Sequence, residues 1–133
     1  IATSAAPIIA SHSNARAVTD HKRNMTDEML QLMAENGGVV QLTMLADYLR
    51  EAPPNPQRDS AMAVMRANMK PFSEMTPEDR EAARKARLEI NEKYPAPPAT
   101  VEHVADHIDH IVKVAGIDHV GIGCDFDGGG GIE

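Results

Sequence analysis

Apolar positions along the chain gather into three short β-compatible runs separated by stretches of helical period. Pro7-Ile8-Ile9-Ala10-Ser11 is the first, an unbroken run that proline begins without interrupting, and it suits a strand buried on both faces as in parallel sheets. After a polar connection from Ala15 to Asn24, Thr26 can cap a helix with Asp27 and Glu28 in its first turn and Met29, Leu30, Leu32 and Met33 as its apolar stripe. Asn36-Gly37-Gly38 ends that helix, and Val39 to Thr43, rich in β-branched residues, is the second strand. Strand, helix, strand predicts a parallel crossover unit.

Beyond Thr43 the pattern loosens. Met44 to Arg50 reads as a short helix that the prolines at 53, 54 and 56 break, and Ser60 to Met69 as a helix with Met62, Met65 and Met69 along one face. Thr76-Pro77-Glu78-Asp79 starts a helix running to about Tyr94, so charged that only Leu88 and Ile90 are large and apolar before the tyrosine. Residues 53–98 therefore read as a helical surface excursion, serving as a lid, as a contact surface or simply as an insertion. Thr100 then caps a last helix, Val101 to Ala115, with Val104, Ile108, Ile111, Val112 and Ala115 as its buried stripe and Gly116 as its end. His103, His107 and His110 recur at i, i+4 and i+7 on that helix; a zinc site there would need a third group and a dry pocket, so a histidine-rich helix face is the preferred reading.

The last helix feeds His119-Val120-Gly121-Ile122-Gly123-Cys124-Asp125-Phe126-Asp127-Gly128, a strand that ends in small residues and presents two carboxylates before the glycines at 128–131. Gly121 and Gly123 leave room for a bulky group to approach the backbone. Alone, the stretch is a strand and a polar turn. His12, one residue past the first run where parallel α/β folds carry their chemistry, is a candidate ligand or base, with a histidine hydrogen-bonded in its loop as the plainer reading. The glycines precede no helix, so a nucleotide-binding loop is not indicated.

Composition narrows the classes. A chain of 133 residues holds one domain, and with 42% apolar but only 3% aromatic residues its core must be aliphatic and methionine-rich. The net charge of −7 argues against a nucleic-acid partner. Cys124 is the single cysteine, with no basic neighbour in sequence to favour a thiolate, and is read as a small packing residue. No apolar run approaches a transmembrane span, and the start has no positive n-region. Lacking an initiating Met and stopping just after the glycines, the chain reads as cut at both ends.

The segments 7–15, 20–28 and 104–111, the last leading into 121–128, together resemble the membrane dipeptidase family, the renal dipeptidase type of metallopeptidase. The resemblance implies an α/β fold, a partial (β/α)8 TIM-type barrel in which residues 1–133 form the C-terminal portion of a single domain, about three of its eight parallel strands. It implies hydrolysis of dipeptides, with tolerance for C-terminal D-residues, by a hydroxide bridging two Zn2+ ions. His12 falls on a metal-binding histidine, Arg23 on an arginine that pairs with the substrate carboxylate, and Asp125 on a catalytic aspartate that contacts the substrate amine or shuttles protons. At position 124 the family more often has Ser or Gly. The family's early His-x-Asp pair, bridging Glu, earlier substrate-binding His and first zinc His lie upstream of this stretch. Association as a homodimer or with the rest of the barrel is therefore expected, in a bacterial cytoplasm or periplasm. The alternative is a truncated, inactive relative acting only as a binding or interaction fragment.

Overall fold

In a computed structural model, which describes residues 3–125, the elements follow the chain as β1 (Ile9–Ala10), α1 (Asp27–Glu35), β2 (Val39–Thr43), α2 (Ala46–Leu49), α3 (Pro56–Ala67), α4 (Pro77–Lys93), α5 (Val101–Ala115) and β3 (Val120–Cys124). Two compact units divide it, Ile1–Glu51 with Pro98–Glu133, and Ala52–Pro97.

In the first unit β2 is central, with β1 and β3 parallel on either side. Val40 and Leu42 of β2 are fully buried and share a core with Leu30 and Met33 of α1, Leu49 of α2, and Val104 and Ile111 of α5. The Thr26 hydroxyl accepts the Met29 N–H to start α1, and Gly37, at φ 74°, lets the chain turn straight back into β2. Asn36 also holds the chain entering β1: its Oδ1 accepts the Ile8 N–H at 2.9 Å and its Nδ2 donates to the carbonyls of Ser4 and Ala6.

β1 differs from the fully buried strand its apolarity predicts. It is two residues long and Ile9 is 67% exposed, because among the described residues β1 is an edge, paired only with β2. Ile122 of β3, at the other edge, is 53% exposed.

In the second unit α3 and α4 pack together. α3 begins earlier than its methionine spacing predicts, because Asn55 accepts the Arg58 N–H and Pro56 occupies the first helical turn; this third proline starts a helix rather than stopping one. Thr76 and Asp79 cap α4 reciprocally, and no residue of α4 is buried. Met62 and Met75 supply the buried apolar side chains, while Arg58 donates to Asn91 Oδ1 at 3.3 and 3.2 Å. No helix among the described residues is long and apolar enough to cross a membrane.

Candidate functional site

The C-terminal ends of the strands bring two of the sequence-predicted residues together. His12, two residues past β1, places Nε2 3.4 Å from Asp125 Oδ1, one residue past β3. Three local features produce this meeting. A register shift between Leu42 and Thr43 leaves Gly123 as an extra residue in β3, a bulge of the kind that re-aims side chains beside active sites. Ser11's carbonyl lies against Gly123, where a Cβ would stand only 2.7 Å from that oxygen and 3.1 Å from the Leu42 carbonyl oxygen. Cys124 and Asp125 then take φ of 57° and 66°, left-handed values uncommon outside glycine, with the Asp125 N–H donating to the Gly123 carbonyl at 2.7 Å. The room left by Gly123 is thus filled by the chain's own backbone. Asp127 and the glycines at 128–131 lie outside the described residues.

The two ring nitrogens of His12 face different groups. Its Nδ1 is 2.8 Å from the Ser11 hydroxyl, an anchor that fixes the ring and leaves Nε2 facing Asp125. The described residues hold no group of three or more metal-ligating side chains, so a metal held by His12 would need further donors.

Among the described residues Arg23 makes no ion pair or hydrogen bond with that pair. It is exposed, and with Ser13, Lys22 and Met25 it lines a cleft of about 370 Å³ along β1. Its backbone N–H donates to His21 Nδ1 at 3.3 Å, and the His21 ring stacks on Tyr48 with centroids 4.2 Å apart.

His12 and Arg23 sit on one loop, residues 11–25, whose order comes from residues that the sequence pattern did not single out. Asn14 is fully buried and treats Thr43 as a strand neighbour would: its Oδ1 accepts the Thr43 N–H and its Nδ2 donates to the Thr43 carbonyl, both at 3.0 Å. Asn24 Oδ1 accepts the Asn14 N–H at 3.2 Å, and Asn24 Nδ2 donates to the carbonyls of Thr19 and Tyr48.

The three histidines of α5 do not act as one face. His103 Nδ1 accepts the Thr100 N–H at the helix start, His110 Nε2 is 2.7 Å from Asp27 Oδ1 of α1, and His107 is fully buried. Burial pushes the His107 pKa down, so it packs as a neutral ring. Its place between Val104 and Ile111 in the apolar register was the available signal.

The family described as membrane dipeptidase (peptidase family M19) matches residues 1–133. An uncharacterized dipeptidase of Schizosaccharomyces pombe is 36% identical over 123 residues, 92% of this chain and 20% of that protein. Among solved structures, the probable dipeptidase PvdM from Pseudomonas aeruginosa superposes with a TM-score of 0.70 at 37% identity, covering 99% of this chain and 36% of that one. A metallo peptidase from Rhodobacter sphaeroides, liganded with a phosphinate mimic of the dipeptide L-Ala-D-Ala, gives 0.56 at 32% identity, covering 92% of this chain and 24% of that one. The chain spans about a fifth of the length of the curated relatives it matches.

Proposed function

The chain belongs to the membrane dipeptidase family, peptidase family M19, and from that premise we propose that it supplies one side of the active site of a zinc-dependent dipeptidase. Its three parallel strands and their helices are part of the TIM-type barrel of that family. The observation that carries the proposal is the meeting of His12 and Asp125 across the strand ends, where barrels of this kind place their chemistry.

In this reading His12 is a metal ligand through Nε2, with its Nδ1–H donated to Ser11. Zinc, two ions in a complete site, supplies when bound a water acidified towards neutral pH and polarisation of the scissile carbonyl. Arg23 receives the substrate carboxylate, which a guanidinium fork grips through two hydrogen bonds. Asp125 either accepts from the substrate ammonium or moves a proton from the attacking water to the departing amine. The match to a structure holding an L-Ala-D-Ala mimic favours dipeptides with a C-terminal D-residue. The edges that β1 and β3 form among the described residues are suited to pairing with the rest of such a barrel or with a second subunit, since exposed edges invite pairing.

Zinc content and hydrolysis of Gly-D-Ala test the proposal together. Bound zinc with turnover is expected, with Asp125→Asn losing about 100-fold or more in kcat at unchanged zinc. Full zinc occupancy without turnover of any dipeptide would overturn it.

A further inference from the structure

His12 and Arg23 are separated by ten residues of a loop, residues 11–25, that holds no regular element beyond a single bridge between Ala15 and Met25. A loop of that length does not by itself keep a ligand and a substrate-binding cation at a fixed spacing. The geometry supplies an anchor from far along the chain. His107 Nδ1 is 3.0 Å from the Ala15 nitrogen, and His107 Nε2 is 3.1 Å from the Leu49 carbonyl oxygen and 3.4 Å from Thr19 Oγ1. A backbone N–H can only donate and a carbonyl can only accept, so Nδ1 is the acceptor for Ala15 and Nε2 carries the hydrogen given to Leu49. One ring in one tautomer thus joins the middle of the 11–25 loop to α5 and to the end of α2. Ala15 and Thr19 lie between the two functional residues, and all three of Ala15, Thr19 and His107 are buried.

We infer that His107 is a positioning residue: it sets the spacing of His12 and Arg23 by accepting the Ala15 N–H, without itself touching substrate or metal. The inference deepens the dipeptidase reading and rests on it for the roles of those two residues. Asn and Gln divide the two bonds of the ring. An Asn amide oxygen falls near the place of Nδ1 and can take the Ala15 N–H, whereas a Gln amide nitrogen falls near Nε2 and can serve only Leu49.

The experiment compares His107→Asn and His107→Gln with the parent in the full-length protein, at a temperature where circular dichroism shows all three folded. Amide hydrogen exchange over residues 11–25 is read alongside kcat and KM for Gly-D-Ala. His107→Gln is expected to speed exchange at Ala15 and to lower kcat/KM about 10- to 100-fold, the scale of a misplacement near 1 Å, with both kcat and KM affected because His12 and Arg23 shift together. His107→Asn is expected to restore most of both. A bond that serves stability alone would make the two variants equal in kcat/KM once both are folded. Equal kcat/KM, or exchange at Ala15 unchanged in His107→Gln, would overturn the inference. Arg23→Ala, run in parallel, isolates the underlying reading: if it leaves KM unchanged, the assignment of Arg23 fails, while the exchange comparison still decides whether His107 anchors the loop.

Discussion

Adding one methyl group at Gly123 should damage both stability and the site, and the same change two residues earlier should do neither. At Gly123 an alanine Cβ would stand 2.7 Å from the Ser11 carbonyl oxygen and 3.1 Å from both the Leu42 carbonyl oxygen and Gln41 Cβ. Two of those three neighbours are backbone atoms, which cannot rotate away as a side-chain tip would. Relief requires the ends of β1 and β3 to separate by several tenths of an ångström, and overpacking of this kind costs about 1–3 kcal/mol. At Gly121 a Cβ would meet Gln41 Cγ at 3.5 Å and Val39 Cγ1 at 3.7 Å, ordinary contacts. Replacing a strand glycine there gains about 0.5–1 kcal/mol from reduced backbone freedom. Urea unfolding followed by circular dichroism should therefore separate Gly121→Ala and Gly123→Ala by about 1.5–4 kcal/mol, in that order of stability. Because the separating strands carry His12 and Asp125, Gly123→Ala should also weaken zinc retention. Equal unfolding midpoints for the two variants would refute the reasoning that Ser11 seats on Gly123.

Other perturbations follow from the same geometry. Arg23→Ala should raise KM for a dipeptide by about 10- to 100-fold with kcat largely kept, the size of a lost charge-assisted hydrogen bond, whereas His12→Ala should lower zinc stoichiometry and collapse kcat; equal, mild effects would contradict both assignments. Asn14→Leu strands the buried N–H and C=O of Thr43 at about 1–3 kcal/mol each, so a loss under 1 kcal/mol in urea unfolding would show that other groups replace Asn14. Burial holds the His107 pKa below its ordinary 6.5, with the Leu49 carbonyl and Asp106 acting in the opposite sense. Below pH 6.5 the unfolded chain therefore binds a proton that the folded chain refuses, and stability falls as pH drops. Urea midpoints at pH 7.5 and 5.5 should show a smaller drop in His107→Asn than in the parent; an unchanged drop would assign it to other groups.

Most of the scaffold was legible because its signals are local. Thr26, Thr76, Gly37 and Gly116 mark helix ends through bonds and dihedrals made within a turn, and β2 follows from five consecutive residues that favour the pleat. His12, Arg23 and Asp125 were marked by the family resemblance rather than by local pattern, and the ends of β1 and β3 bring the first and last of them within 3.4 Å. The supporting shell was not. Asn14 and Asn24 look like loop residues, and nothing near them in sequence says that one substitutes for a strand neighbour of Thr43 while the other takes its N–H.

The order of elements and the parallel crossover were determined by the sequence alone, because periodicity and capping act over a few residues, while the roles expected of His12, Arg23 and Asp125 came from the family resemblance. Tertiary structure decided how those groups meet. Ser11 against Gly123, the left-handed turn at Cys124 and Asp125, and His107 reaching Ala15 from 92 residues away depend on which strand and helix ends pack together. Such contacts depend on three-dimensional packing, which a one-dimensional pattern of polar and apolar residues does not encode.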